Sequence, residues 1–131
     1  MRHMRLSEES ARNRLHWDQK SDEYQAAHGD QLGRHQLAWG VWSISEDQLH
    51  VLGDVRAKDV LELGCGGAQW SIALEKRGAR CVGLDNSARQ LEHARRNADR
   101  AQTTAGRDNL LHRFRQLRMG RLVAGGANLA R

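Results

Sequence analysis

The residues whose types and spacing suggest chemistry are a cluster of glycines and two acids. Gly64 and Gly66, with Gly67 beside them, follow the run Asp59-Val60-Leu61-Glu62-Leu63 and precede a helical pattern that starts at about Ala68. Glycine takes positive φ readily and lets the backbone come close to a ligand. A helix opening over such a turn aims free N–H groups and its positive dipole end at whatever lies there. Asp85 stands nineteen residues beyond Gly66, at the end of a second apolar run, Ala79-Arg80-Cys81-Val82-Gly83-Leu84. In a βαβ nucleotide fold, an acid about twenty residues past the glycines can accept both ribose hydroxyls. A tight β–α connection needs the same glycines, however, and an acid ahead of a helix also stabilises its positive end. Taken alone, the residues leave a binding loop and a plain turn both open.

Position 69 narrows the choice of ligand. A dinucleotide fingerprint requires a third glycine there and the chain has Gln69, while the Gly-Lys-Ser/Thr of a phosphate-binding P-loop is absent. Cys65 lies inside the turn with no neighbour in sequence that would make it a thiolate, so it reads as a small filler.

The elements that must position these residues follow from local pattern. Trp70, Ile72, Ala73 and Leu74, closed by Gly78, predict an amphipathic helix after the turn. Ser87 and Gln90 form a capping box that opens a further helix through about Gln102, with Leu91, Ala94 and Ala98 inward. Strand, helix, strand, helix with short connections predicts parallel strands in a βαβ unit. Upstream, residues 1–15 read as a charged, fraying helix, and Trp17 and Tyr24, seven apart, share one helical face. That stripe is expected to pack in a core, although rings with a polar tip also suit a lid. Trp39-Gly40-Val41-Trp42 reads as a loop. Ser43 and Glu46 then predict a capping box for a helix running to Leu52, with Gly53 as its stop.

Composition bounds the rest. The 131 residues suit one domain, and the mean hydropathy of −0.76 is that of a polar chain. The charged start with no apolar stretch behind it, and the lack of any span-length apolar run, predict a cytoplasmic protein with no membrane partner. Cys65 and Cys81 lie far apart with no cysteine–histidine cluster, so neither a disulfide framework nor a metal site is expected. The net charge of +5 is localised: residues 1–106 are balanced, whereas residues 107–131 hold six arginines and one acid. Leu110, Phe114 and Leu117 fall at helical spacing among those arginines, which suggests a basic amphipathic helix for nucleic acid or a protein partner. An alternative is that the stretch has left the pattern of the rest of the chain.

Val60-Leu61-Glu62-Leu63-Gly64-Cys65-Gly66-Gly67-Ala68, followed by Val82-Gly83-Leu84-Asp85-Asn86-Ser87, resembles the first glycine motif and the acidic motif of class I S-adenosylmethionine-dependent methyltransferases. The resemblance covers about residues 15–100. It implies an α/β, Rossmann-like parallel sheet, here incomplete, with N-terminal helices. It also implies S-adenosylmethionine as cofactor and a methyl acceptor that is a small molecule. Gly64, Cys65 and Gly66 would then lie against the methionine part and ribose, Asp85 would hold the ribose hydroxyls, Asn86 would flank the adenine, and Glu62 would orient the loop or meet the ammonium group. The expected division is an N-terminal helical region over 1–56, a cofactor-binding core over 57–104 and a divergent basic tail over 105–131. No acid after Asp108 matches the family's adenine-side acid on a third strand, and the acceptor-side motif has no counterpart. The chain is therefore expected to be an N-terminal portion of such a domain, inactive if the second half is missing. The other reading is a non-catalytic binding module whose arginine-rich tail makes the contact.

Overall fold

The structure is a computed structural model and describes residues 7–34, 37–105 and 114–116. A single helix, α1 (Glu8–Arg34), comes first and is about 40 Å long. Ser7 Oγ accepts the Ser10 N–H at 3.2 Å, and Glu8 and Glu9 face the positive end of the helix. The charged start, from Glu8 onward, and the aromatic stripe thus belong to one continuous helix. Its outer surface carries pairs such as Lys20–Glu23 at 2.8 Å.

A short antiparallel ribbon follows, β1 (Ala38–Trp39) and β2 (Ile44–Ser45), turning at Gly40. Val41 and Trp42 at its tip are 89% and 82% exposed. The next helix, α2, spans only Glu46–Leu49. Local pattern predicts Ser43 as its cap and Leu52 near its end. Instead Ser43 sits in the turn at φ 52°, and Ser45 is the cap, with Gln48 Oε1 accepting its N–H at 3.4 Å. Tertiary contacts explain the shift. Glu46, 3% exposed, accepts from Leu52 N at 2.6 Å, Trp39 Nε1 at 2.7 Å and Gly53 N at 3.3 Å, so its carboxylate cannot reach back to Ser43. Burial pushes its pKa up, but these hydrogen bonds outweigh it and hold it below the ordinary value.

The remaining elements are β3 (Asp59–Leu63), α3 (Gln69–Lys76), β4 (Arg80–Asp85), α4 (Ala88–Ala105) and β5 (Phe114–Gln116). The three strands form a parallel sheet in the order β3-β4-β5, with Leu61 opposite Val82 and Gly83 opposite Phe114. Each link between neighbours includes a helix, as parallel pairing demands. Ile72 of α3 packs with Leu91, Ala94 and Ala98 of α4, the inward positions read from the sequence. A second cluster joins Ala73, Leu74 and Cys81 to Leu37 and Val55, with Trp70 against it. Trp39 meets Trp70 edge to face at 4.5 Å, tying the ribbon to α3.

Among the described residues, β5 corrects the reading of the tail. Helical spacing puts Phe114 on a basic helix, yet residues 114–116 are a strand. The open edge of β4 offers a row of main-chain donors and acceptors, a gain that helical spacing cannot register. The rest of the predicted tail helix lies outside the described residues. Residues 1–56, expected to be helical, hold the β1–β2 ribbon as well as α1 and α2.

Candidate functional site

At the carboxyl ends of β3 and β4 the chain closes around a cavity of about 410 Å³. Gly64 at φ 68° and Gly66 at φ 50° turn the backbone through the left-handed region, and Ala68 N–H closes the turn onto Cys65 O at 2.7 Å. A Cβ at Gly67 would stand 2.8 Å from Gln69 Nε2 and 2.9 Å from Gln25 Oε1, so these amide ends would have to swing aside. Cys65 N donates to Leu84 O at 3.0 Å, which pins the turn to β4.

Two carboxylates organise the turn. Asp85 accepts Gly66 N–H on one oxygen and Ser87 N–H on the other, both at 2.8 Å. It thus joins the turn to the start of α4, where Ser87 Oγ accepts the Gln90 N–H at 3.1 Å. Glu62 accepts Ser71 N–H at 3.0 Å and Ser71 Oγ–H at 2.5 Å. The N-cap of α3, Ala68, has no side-chain acceptor, so the Glu62 carboxylate caps that helix from the end of the neighbouring strand. Burial pushes the Glu62 pKa up, opposed by the Ser71 hydrogen bonds and reinforced by Asp85. Burial, with Glu62 and Asp85 nearby, also pushes the Cys65 thiol up to about 12, which keeps it protonated and unreactive at neutral pH.

Glu62, Gly64, Cys65, Gly66, Asp85 and Asn86, the six residues singled out in the sequence, all line this one cavity. Asn86 also acts as a joint: its amide donates to Ser10 O at 3.1 Å, and its own carbonyl accepts from Arg14 Nε at 3.3 Å and Gln116 Nε2 at 3.1 Å. Gln116 ends β5 beside Asp85, the place on a third strand where the sequence shows no acid.

Helix α1 supplies the facing wall. Trp17 and Tyr24 meet edge to face at 5.4 Å and line the cavity instead of joining either core cluster, so the stripe expected in a core faces the cleft. Sequence pattern alone does not point to the amides. Gln25 Nε2 donates to Gln90 Oε1 at 3.0 Å, Gln69 Nε2 donates to Gln25 Oε1 at 3.3 Å, and Asn97 Nδ2 donates to Gly67 O at 2.9 Å. Gln25 stands eight residues past Trp17 on the same helical face, and that spacing is the one signal that could have found it.

Residues 60–119 match the family described as "Methyltransferase domain". An uncharacterised protein of Haemophilus influenzae is 34% identical over 65 residues, a stretch that covers 49% of this chain and 26% of that protein. A solved structure described as "DhpI-SAM-HEP complex" superposes with a TM-score of 0.52 at 26% identity, over 88% of this chain and 46% of the other. The chain thus spans under half the length of either relative. Among the described residues, no helix is long and apolar enough to cross a membrane. With its parallel sheet, its glycine turn and the acid at the end of the second strand of that sheet, the chain shares its fold with the SAM complex and is similar over residues 60–119 to a methyltransferase domain.

Proposed function

We propose that this chain binds S-adenosylmethionine in the cleft between the glycine turn and α1 and serves the transfer of its methyl group to a small molecule. The observation that carries the reading is the charge of the cleft. Among the described residues, its lining includes two carboxylates, Glu62 and Asp85, and no lysine or arginine. Such a wall disfavours a nucleoside polyphosphate and suits a ligand that bears a sulfonium and an ammonium group. The structural neighbour, itself a complex with SAM, supports the same ligand.

The residues present fit that group. Asp85 has lone pairs left beyond the Gly66 and Ser87 hydrogen bonds, and can accept from ribose hydroxyls at the end of β4. Glu62, raised by burial, gains when a cation comes near. The Gln25, Gln69 and Gln90 amides offer neutral donors for a carboxylate. Asn86 borders the adenine end, and Gly64 and Gly66 keep the backbone free of side-chain bulk. When bound, the cofactor supplies an activated methyl group, whose bond to sulfur breaks with both electrons left on sulfur. What the chain contributes is alignment and exclusion of water, which can supply much of such a rate enhancement.

Calorimetric titration with S-adenosylmethionine tests this. Wild-type protein should bind in a one-to-one ratio, and Asp85→Asn should weaken binding by about tenfold, as expected when one carboxylate acceptor of two hydrogen bonds is lost. Absence of binding by folded wild-type protein would overturn the reading.

A further inference from the structure

A second cavity, of about 200 Å³, adjoins the first, and Tyr24, Leu32, Gln69 and Trp70 line both. It lies between α1, the β1–β2 ribbon and the start of α3, with His28, Gln31, Ala38 and Val41 among its other walls. Resting on the methyltransferase reading, we propose that this second cavity is the methyl-acceptor site, and that it takes a small uncharged molecule with an O–H or N–H nucleophile on an apolar or aromatic body.

Three observations lead there. Transfer requires the acceptor atom to approach the methyl carbon to about 3–3.5 Å, so the acceptor must occupy space continuous with the cofactor cleft. The shared wall of Tyr24, Leu32, Gln69 and Trp70 provides that continuity. Second, among the described residues those lining this cavity include no aspartate, glutamate, lysine or arginine. A charged acceptor would find no charged partner on these walls. An uncharged one can rest on the Tyr24 and Trp70 rings and hydrogen-bond to Gln31, Ser43 or Gln69. Third, the cavity, at about 200 Å³, has about half the volume of the cofactor cleft, at about 410 Å³, which limits the part of the acceptor held inside to a compact group.

His28 gives the site its proton acceptor. Its ring lies 4.8 Å from that of Tyr24, and both line the cavity. As the acceptor's lone pair forms the new bond to carbon, its proton passes to an imidazole nitrogen of His28 and from there to solvent, to which His28 is exposed.

The direction in which the methyl group points can be tested without knowing the acceptor. The probe is the S-allyl analogue of S-adenosylmethionine, in which allyl replaces the transferable methyl, with binding read by calorimetry. Wild-type protein should bind the analogue and the parent within about threefold of each other, because the second cavity has room for the longer group. Ala38→Phe narrows that cavity from the ribbon side. It should weaken the analogue by about tenfold or more, the scale of steric misfit in a filled pocket, and leave the parent unchanged. Ala38→Leu should give a smaller loss in the same sense. Unchanged binding of both ligands, or equal loss of both in the two variants, would overturn the proposal. Failure of wild-type protein to bind either ligand would instead overturn the methyltransferase reading on which it rests.

Discussion

At the scale of single residues, Glu62 joins structure to binding. Its carboxylate caps α3 through Ser71 and faces the cleft, and burial raises its pKa above the ordinary 4.5. A raised carboxyl pKa means that the folded state favours the protonated form. Its contribution to stability is therefore fully present below the unfolded pKa and is lost as pH rises through the folded one. A cationic ligand has the opposite preference, since it attracts the carboxylate. Affinity for S-adenosylmethionine should fall as pH is lowered into the range where the raised Glu62 carboxyl takes up its proton, and Glu62→Gln should flatten that dependence in parallel titrations. Gly64 makes a different kind of prediction. A Cβ there would meet nothing within 4 Å, so the cost of Gly64→Ala is the left-handed backbone alone. Denaturant unfolding should show a loss of about 1–2 kcal/mol, with Gly64→Asn closer to wild type because asparagine tolerates that region better.

At the scale of elements, α1 is held to α4 and the turn before it by polar contacts. Neither core cluster contains a residue of α1. Asp22 grips Arg89 through Nε at 2.8 Å and Nη2 at 2.7 Å and also holds His93 Nε2 at 2.7 Å, while Asp18 accepts from Ser87 Oγ at 2.6 Å. The hydrogen bonds from Arg89 and His93 hold the Asp22 carboxyl down to about 2. These contacts are largely exposed, and salt weakens such pairs. Arg89→Ala, or molar salt, should speed amide exchange in α1 and widen access to the cleft. The exchange of β3 and β4 should stay unchanged, which hydrogen-exchange mass spectrometry can read segment by segment. Were β3 and β4 to exchange faster in step with α1, the helix would be part of the cooperative core instead of a cover over it.

For the whole molecule, the asymmetry of the sheet has the largest consequence. Val60 packs under α3, whereas Leu61 and Leu63 on the other side of β3 are 57% and 69% exposed. Parallel sheets are normally covered on both faces, and among the described residues β3 is an edge strand whose apolar side chains invite pairing. The chain should therefore associate with itself in a concentration-dependent way, and Leu63→Lys should shift sedimentation toward the monomer while leaving cofactor affinity intact. An unchanged sedimentation profile in that variant would remove β3 as the contact.

What could be read from the sequence alone was whatever depends on neighbours along the chain. The strand–turn–helix around Gly64 and Gly66, the second strand ending in Asp85, the Ser87 cap and the inward face of α4 all come from local spacing and local hydrogen bonds, and all are present in the fold. Cys65 as an inert filler was legible for the same reason, from the lack of any activating partner nearby in sequence. Tertiary contact decided the rest. Glu46 abandoned a local capping box because Trp39, Leu52 and Gly53 compete for its carboxylate, Phe114 joined a strand because β4 offered an edge, and Trp17 and Tyr24 line a cleft because polar pairs, not apolar ones, dock α1. Gln25 met the glycine turn across forty-odd residues of chain. Local pattern records which face of a helix is sticky or wet, but not which distant groups will compete for its hydrogen bonds, and at this site that competition places the walls.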